Sequence, residues 1–219
     1  MPFGLKGSPA TFQRLMNNVL DGLIGNTCFV YLDDIVIPAE NLKDHRIKLE
    51  KVLRRLKQHQ LLLNLVKCYF LQPETPFLGF ICNQEGVKPN LDKIEKITNY
   101  PAPINVKEIQ RFLGLTNYYR KHIKDEAKIA EPLNKLLRKE ANFKWETEEE
   151  IAFRYLIKSL TTSPILIYPD MEKTFVLTTD SRDFAIGAIL SQESDGNDRP
   201  ISYSSRSLNK AEREVLAIV

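Results

Sequence analysis

Apolar residues recur at helical spacing near the start of the chain. From Pro9 to Gly25 an apolar residue returns every three or four positions, which predicts one amphipathic helix. Ser8 is a candidate N-cap and Pro9 suits the first helical position, whereas Gly22 and Gly25 end the helix. The apolar stripe of this helix consists of Phe12, Leu15, Met16, Val19, Leu20 and Leu23.

Two short runs of β-forming residues follow, with a pair of acidic residues between them. The first run covers residues 28–32 and the second covers residues 35–37, so Asp33 and Asp34 stand between two apolar arms. This arrangement predicts a β-hairpin with both carboxylates at its tip, and Pro38 ends its second arm.

The next part of the chain combines one amphipathic helix with several short apolar runs. Residues 43–57 are basic on one side and apolar on the other, which predicts a helix. Residues 61–63 and 68–70 are predicted to form short strands. The apolar run 77–82 predicts a further strand, and residues 84–86 predict a turn.

Helical spacing returns after Pro89 and continues for about 70 residues. A short helix through residue 97 is interrupted by the proline-rich segment 100–103, which is typical of a linker. Asn105 and Glu108 have the spacing of a capping box and predict the start of the next helix. Two more helices are predicted at residues 129–137 and 148–160.

The pattern changes from helices to strands near residue 164, so a boundary is expected between residues 160 and 170. Separate helical and strand regions indicate an α+β fold. The final segment of about 50 residues is small for an independent core. Its strands are predicted at residues 174–179, 185–190 and 200–204.

The composition of the 219 residues excludes several classes of protein. With 43% hydrophobic and 27% charged residues, the chain is too apolar for a disordered protein. It has neither an uncharged apolar run long enough to span a membrane nor a secretory signal, so we expect no membrane partner and an intracellular location, cytoplasmic or nuclear. Its three cysteines, Cys28, Cys68 and Cys82, are far apart, which argues for reduced thiols and against a zinc site.

The net charge of +3 hides two local basic stretches. Residues 43–57 hold seven basic and two acidic side chains, and residues 107–144 hold ten basic and five acidic side chains. Such stretches could follow a phosphate backbone, and the alternative is that they are solvated helix faces.

The Asp33-Asp34 doublet carries the strongest chemical signal. Two adjacent carboxylates repel each other, and a divalent cation would remove that cost because Mg²⁺ prefers carboxylate oxygens. The alternative is an ordinary acidic turn at a hairpin tip.

The doublet belongs to the sequence Tyr31-Leu32-Asp33-Asp34, which resembles the Tyr-x-Asp-Asp hairpin of reverse transcriptases. Further segments resemble the reverse transcriptase and RNase H region of long-terminal-repeat retrotransposons of the Ty3/gypsy group, and together they cover nearly the whole chain. These segments are Pro2–Gln13, Leu63–Phe70, Phe77–Phe80, Arg111–Lys121 and Thr178–Gln192.

The resemblance implies a division of the α+β chain into three parts. Residues 1–85 would form a partial polymerase palm, and residues 86–163 would form the thumb and connection helices. Residues 164–219 would form the N-terminal part of an RNase H-like mixed sheet. The chain would then be a fragment of a longer polyprotein, with Met1 an internal methionine of the family.

The resemblance also implies that the protein is an RNA-directed DNA polymerase with RNase H. In this reaction two Mg²⁺ ions bind the attacking and leaving oxygens. Asp33 and Asp34 would be catalytic metal ligands, with Asp34 the more peripheral of the two, and Lys67 would protonate the departing pyrophosphate. The alternative for Lys67 is a surface charge. The implied partners are an RNA/DNA template-primer duplex, a dNTP and the rest of the polyprotein.

Further site residues follow from the same resemblance. In the RNase H part, Asp180 and Glu214 match catalytic metal-binding carboxylates, although a strand-terminating Asp and an exposed helical Glu are the alternatives. The residues expected near the nucleotide or template are Phe3, Gly4, Gln13 and Tyr31. Phe77–Phe80 resembles the primer-grip hairpin of the family, so Phe77, Leu78 and Gly79 are expected to hold the primer, although core packing explains the aromatic Phe77 equally well.

The chain departs from the family pattern in three places. A further metal-binding Asp of the polymerase is expected upstream of residue 1, and further RNase H carboxylates are expected beyond Val219. The segment 208–214 is shorter than in the family, which would shift Glu214 relative to Asp180. The Mg²⁺ sites are therefore incomplete, and residues 1–219 are expected to show little or no polymerase activity. The alternative function is a catalytically dead, co-opted or decaying remnant that binds nucleic acid or protein.

Overall fold

The computed structural model describes residues 5–138, 141–182, 184–194, 196–209 and 212. The chain forms two compact units, residues 1–73 and residues 74–219. The combination of helices with three separate antiparallel sheets confirms the predicted α+β class. The predicted division at residues 85/86 and 163/164 into palm, thumb and RNase H parts stays a prediction.

The first unit packs two helices with a small hairpin. Its elements are α1 (Ser8–Val19), β1 (Phe29–Tyr31), β2 (Asp34–Val36), α2 (Leu42–Gln58) and a 3-10 turn at Leu65–Lys67. One face of each helix is apolar, and burying these faces together removes their side chains from water. The buried core consists of Met16, Val19, Leu20, Cys28, Val52 and Leu56.

The start of α1 differs from the prediction. Gly7 is the N-cap, and Ser8 is already the first helical residue, so Ser8 is not the cap. The reason is local, because the N–H of Ser8 donates to the carbonyl of Leu5 at 3.0 Å and closes a turn one residue earlier. Pro9 lies in the first turn as expected.

The two strands predicted at residues 61–63 and 68–70 are wrong. Between these two segments the chain forms the 3-10 turn. The side-chain oxygen of Asn64 starts this turn by accepting from the N–H of Val66 at 3.2 Å. Leu62 is 97% exposed and Val66 is 91% exposed, so apolar character here does not reflect burial within the described residues. A strand requires a paired neighbour, and no described strand pairs with this segment.

The second unit begins with a three-stranded antiparallel sheet and continues with helices. The strands are β3 (Glu74–Phe77), β4 (Phe80–Asn83) and β5 (Gly86–Pro89). The helices are α3 (Leu91–Thr98), α4 (Val106–Tyr118), α5 (Glu126–Ile129), α6 (Glu131–Lys135) and α7 (Thr147–Thr161). The largest fully buried side chains of their shared core are Phe112 and Phe153, whose ring centroids lie 4.6 Å apart.

The last sheet has three long antiparallel strands. They are β6 (Val176–Arg182), β7 (Ala185–Ser194) and β8 (Asn197–Ser207). All three strands were predicted, and a bulge between Leu190 and Ser191 adjusts the register of β7 against β8. Among the described residues, no helix has both the length and the apolar character needed to cross a membrane.

His122 is a buried titratable residue of the second unit. The ring is 5% exposed, its Nε2 lies 3.2 Å from the carbonyl oxygen of Val87, and it stacks on Phe80. Its Nδ1 is buried without a hydrogen-bond partner among the described residues. Burial lowers the pKa of His122 below its ordinary value of 6.5.

In the unfolded chain the His122 ring binds a proton more readily than in the folded chain. We therefore expect the neutral ring to contribute fully to stability above about pH 6.5. This contribution is lost as the pH falls through the lowered pKa of the folded state. In urea unfolding between pH 5 and pH 8, the free energy of unfolding should fall less on acidification for His122→Gln than for the wild type. The exposed His59 provides the control, and an unchanged slope in His122→Gln would contradict the assignment.

Candidate functional site

The acidic doublet lies at the end of the β1–β2 hairpin, as predicted. Tyr31 pairs with Asp34, so Leu32 and Asp33 form a two-residue turn. Leu32 has a φ of 51°, and turns of this length favour positive φ. Both Asp33 and Asp34 are exposed, and Tyr31 is 51% exposed.

Gln13 connects helix α1 to this hairpin. Its Oε1 accepts from the N–H of Leu32 at 2.7 Å, and its Nε2 donates to the carbonyl of Val30 at 3.4 Å. The side chain thereby holds the backbone on both sides of Tyr31. The contact of Gln13 with nucleotide or template stays a prediction, while Phe3 and Gly4 lie outside the described residues.

The hairpin tip offers the right kind of donor for a divalent cation. Asp33 and Asp34 supply exposed carboxylate oxygens, which suit Mg²⁺, and neither side chain forms an ion pair with a described residue. However, the described residues contain no cluster of three metal-ligating side chains. The doublet therefore fits such an ion in chemistry and supplies only part of its ligands.

Lys67 ends the 3-10 turn of the first unit and is exposed. Its ammonium forms no ion pair among the described residues, so it is available to an anion. Its role as a proton donor stays a prediction.

The predicted primer-holding residues form the turn between β3 and β4. Phe77 pairs with Phe80, which leaves Leu78 and Gly79 as a two-residue turn. The hydroxyl of Tyr118 donates to the carbonyl of Leu78 at 2.6 Å. The apolar pattern of residues 77–82 predicted one strand and gave no sign of this turn, whereas the resemblance of Phe77–Phe80 to a primer-grip hairpin implied it.

Asp180 lies on β6 opposite Gly187 and forms an ion pair with Lys128 of α5. The Lys128 ammonium also lies 3.3 Å from Oδ1 of Asp125, and the Lys128 side chain is only 12% exposed. Hydrogen bonding to Asp180 and then to Asp125 raises the pKa of Lys128. The carboxylate of Asp180, predicted to hold a metal, thus pairs with a lysine, and Glu214 lies outside the described residues.

Gly187 allows α5 to approach the sheet closely. A Cβ atom at Gly187 would lie 2.5 Å from Oδ1 of Asp125, and the N–H of Ala127 donates to the hydroxyl of Ser205 at 2.9 Å. The Asp125–Lys128 segment is therefore fixed over the strand pair that carries Asp180. Sequence spacing could suggest the Asp125–Lys128 pair at i,i+3, but nothing local indicates the contact with Asp180.

Helix α2 presents a basic surface, although part of its charge is used within the first unit. Lys48 pairs with Asp44 at 2.8 Å, and Arg55 donates to the carbonyls of Val19 and Asp21. The exposed basic side chains without an ion pair among the described residues are Lys43, Arg46, Lys51 and Lys57.

Family models match both ends of the chain. Residues 1–82 match a model described as reverse transcriptase (RNA-dependent DNA polymerase). Residues 145–219 match an RNase H-like domain found in reverse transcriptase. Both families use divalent metal ions.

Relatives match the full length of the chain. It is 47% identical to the retrovirus-related Pol polyprotein from transposon 297 and 43% identical to that from transposon opus, both of Drosophila melanogaster. It is 34% identical to the transposon Tf2-3 polyprotein of Schizosaccharomyces pombe. In each case 100% of the chain is covered, but the chain spans only 21%, 24% and 17% of these relatives.

Solved structures show the same fold. The foamy viral protease-reverse transcriptase in complex with dsDNA matches 98% of the chain and 44% of its own length, with a TM-score of 0.82 and 28% identity. The same viral protein in complex with an RNA/DNA hybrid matches 98% of the chain and 29% of its own length, with a TM-score of 0.79 and 28% identity.

Proposed function

Because the chain belongs to the reverse transcriptase and RNase H region of Ty3/gypsy-type retrotransposon polyproteins, we propose that it supplies part of the active site of an RNA-directed DNA polymerase. The observation that carries this proposal is the exposed Asp33-Asp34 doublet at a hairpin tip that Gln13 holds to helix α1.

Each residue of the site has a proposed task. Asp33 and Asp34 hold divalent cations, which stabilise charge on the attacking and leaving oxygens when bound. Gln13 keeps the hairpin backbone in place, and Tyr31 lies beside the nucleotide. Lys67, exposed and without an internal counter-ion among the described residues, donates a proton to the departing pyrophosphate.

The partners follow from these tasks. A template-primer duplex and a dNTP are the reactants, and the basic surface of α2 supports binding to a phosphate backbone. The turn that contains Leu78 and Gly79 holds the primer. Asp180 and Glu214 belong to the adjoining RNase H segment, and the rest of the polyprotein supplies the further carboxylates.

A Mn²⁺ titration followed by NMR tests the doublet. Paramagnetic broadening should begin at the amides of residues 32–35 and should be reversed by excess Mg²⁺. Replacing Asp33 and Asp34 together by Asn should weaken this Mn²⁺ binding at least about tenfold, because the two charged oxygen donors are lost.

Asp21→Asn is the matched control, since Asp21 is an exposed carboxylate of the same unit that lies outside the hairpin. It should leave the broadening at residues 32–35 unchanged. Broadening that survives loss of both Asp33 and Asp34 would show that the doublet does not hold the ion.

A catalytically inactive nucleic-acid-binding protein is the second candidate. Two observations favour it: the described residues lack a three-ligand cluster, and Lys128 pairs with Asp180. Fluorescence anisotropy with a dideoxy-terminated template-primer separates the two functions. The polymerase predicts that Mg²⁺ and the complementary dNTP tighten binding only when Asp33 and Asp34 are present. The inactive binding protein predicts one salt-dependent affinity that neither the substitutions nor the dNTP changes.

A further inference from the structure

We propose that Tyr118 and Tyr119 are positioning residues that fix the Leu78–Gly79 turn to helix α4, so that the turn and the helix present the primer end as one rigid body. The role of the turn in holding the primer rests on the proposed function. We call the contacts of Tyr118 and Tyr119 with this turn the clamp. The clamp lies within the second unit and can be tested separately.

The turn has a backbone conformation that its sequence does not favour by itself. Leu78 has a φ of 49° and Gly79 a φ of 80°, so both central residues of the turn lie in the left-handed region. Two-residue hairpin turns of this type usually contain Asn-Gly or Asp-Gly, and a leucine in this region is strained. Such strain persists only where the surroundings hold the backbone in place.

Two tyrosine hydroxyls provide that support, together with the N–H of Asn90, which donates to the carbonyl of Gly79 at 3.0 Å. The Tyr118 hydroxyl donates to the carbonyl of Leu78 at 2.6 Å, and the Tyr119 hydroxyl donates to the carbonyl of Gly79 at 3.3 Å. Successive residues of α4 and its C-cap therefore bind successive carbonyls of the turn. Burial raises the pKa of Tyr119, which keeps its phenol protonated as a donor.

The aromatic rings add a second set of contacts to the same turn. The Phe80 ring lies 5.6 Å from the Tyr118 ring and 5.3 Å from the Tyr119 ring, measured between centroids. A Cβ atom at Gly79 would lie 3.1 Å from the Tyr119 hydroxyl oxygen and 3.2 Å from the Tyr118 ring. Glycine at this position thus allows both the positive φ and the close approach of the two rings.

The exposure of the clamp favours a positioning role over core packing alone. Tyr119 is 6% exposed and forms part of the core, whereas Tyr118 is 56% exposed and Leu78 is 37% exposed. The shortest contact of the clamp, from Tyr118 to Leu78, therefore lies at the surface. Surface contacts that order a strained turn are expected where the turn has to meet a ligand in one fixed geometry.

The test uses Tyr118→Phe, Tyr119→Phe and the double variant in the 219-residue chain. These substitutions remove only the hydroxyls and keep the rings, so the fold should be retained. Amide hydrogen exchange at residues 78–80 should accelerate about fivefold for each hydroxyl removed, the change expected for one hydrogen bond. Tyr155→Phe is the matched control, since Tyr155 is 54% exposed on α7, and it should change nothing.

Binding is measured with two nucleic acids of equal length, a template-primer with a recessed 3′ end and a blunt duplex. The double variant should bind the recessed end about tenfold more weakly and the blunt duplex equally well, since only the positioned turn distinguishes them. Unchanged exchange at residues 78–80 in the double variant would overturn the clamp. Faster exchange with unchanged binding to the recessed end would overturn the positioning role. If the wild type binds neither nucleic acid, the proposed function fails, while the exchange measurement still decides the clamp.

Discussion

Gly86→Ala is expected to destabilise the second unit by about 4 kcal/mol, a large part of the 5–15 kcal/mol typical of a folded domain. Gly86 opens β5 with a φ of 143°, a region that side chains rarely adopt. A Cβ atom there would clash with the carbonyl oxygen of Leu166 and would lie 2.9 Å from its carbonyl carbon.

The clash cannot be relieved without breaking a backbone contact. The N–H of Val87 donates to the carbonyl of Leu166 at 2.8 Å, and the N–H of Leu166 donates back to Val87 at 2.9 Å. Moving the Leu166 backbone away from Gly86 would lengthen both hydrogen bonds, each of which contributes about 1 kcal/mol. Urea unfolding, monitored by the fluorescence of Trp145, the single tryptophan, measures the change in the free energy of unfolding.

Gly114→Ala is the control, and its effect on stability should be opposite to that of Gly86→Ala. Gly114 lies on the exposed side of α4, and a Cβ atom there would meet nothing within 4 Å. Alanine should stabilise the helix by about 0.5–1 kcal/mol, because glycine is the poorer helix former. Equal effects of the two substitutions would show that the Gly86 conformation does not carry the predicted strain.

The sequence predicted those elements whose backbone hydrogen bonds are made by residues nearby in the chain. The side chain of Asn105 accepts from the N–H of Glu108 at 3.0 Å, as the capping-box spacing predicted, and α4 begins directly after it. The β1–β2 hairpin was predicted for a similar reason, since its polar tip separates two apolar arms. In both cases the residues that determine the structure are within a few positions of each other.

Features that depend on distant residues could not be predicted in this way. The apolar pattern of residues 77–82 does not show the Leu78–Gly79 turn, which only the family resemblance indicated, because the groups that hold it include the hydroxyls of Tyr118 and Tyr119, 40 residues away. The matching Arg111–Lys121 segment marked these tyrosines through the family resemblance alone. Their partners became visible only in the structure.

The contact between Lys128 and Asp180 joins residues 52 positions apart and has a measurable consequence for the predicted RNase H site. An ammonium beside Asp180 competes with any divalent cation for the same carboxylate. Lys128→Met is therefore expected to raise the Mn²⁺ affinity at Asp180 about tenfold, a modest value because Asp180 is half-exposed and water screens the charge. Paramagnetic broadening of the amides of residues 179–181 measures the change.

Two further variants separate the charge of Lys128 from its packing. Lys128→Arg retains a cation and should keep the wild-type Mn²⁺ affinity, whereas Lys173→Met removes an exposed cation near Asp170 and should have no effect at residues 179–181. If Lys128→Met binds Mn²⁺ no more tightly than the wild type, the lysine does not compete with the ion.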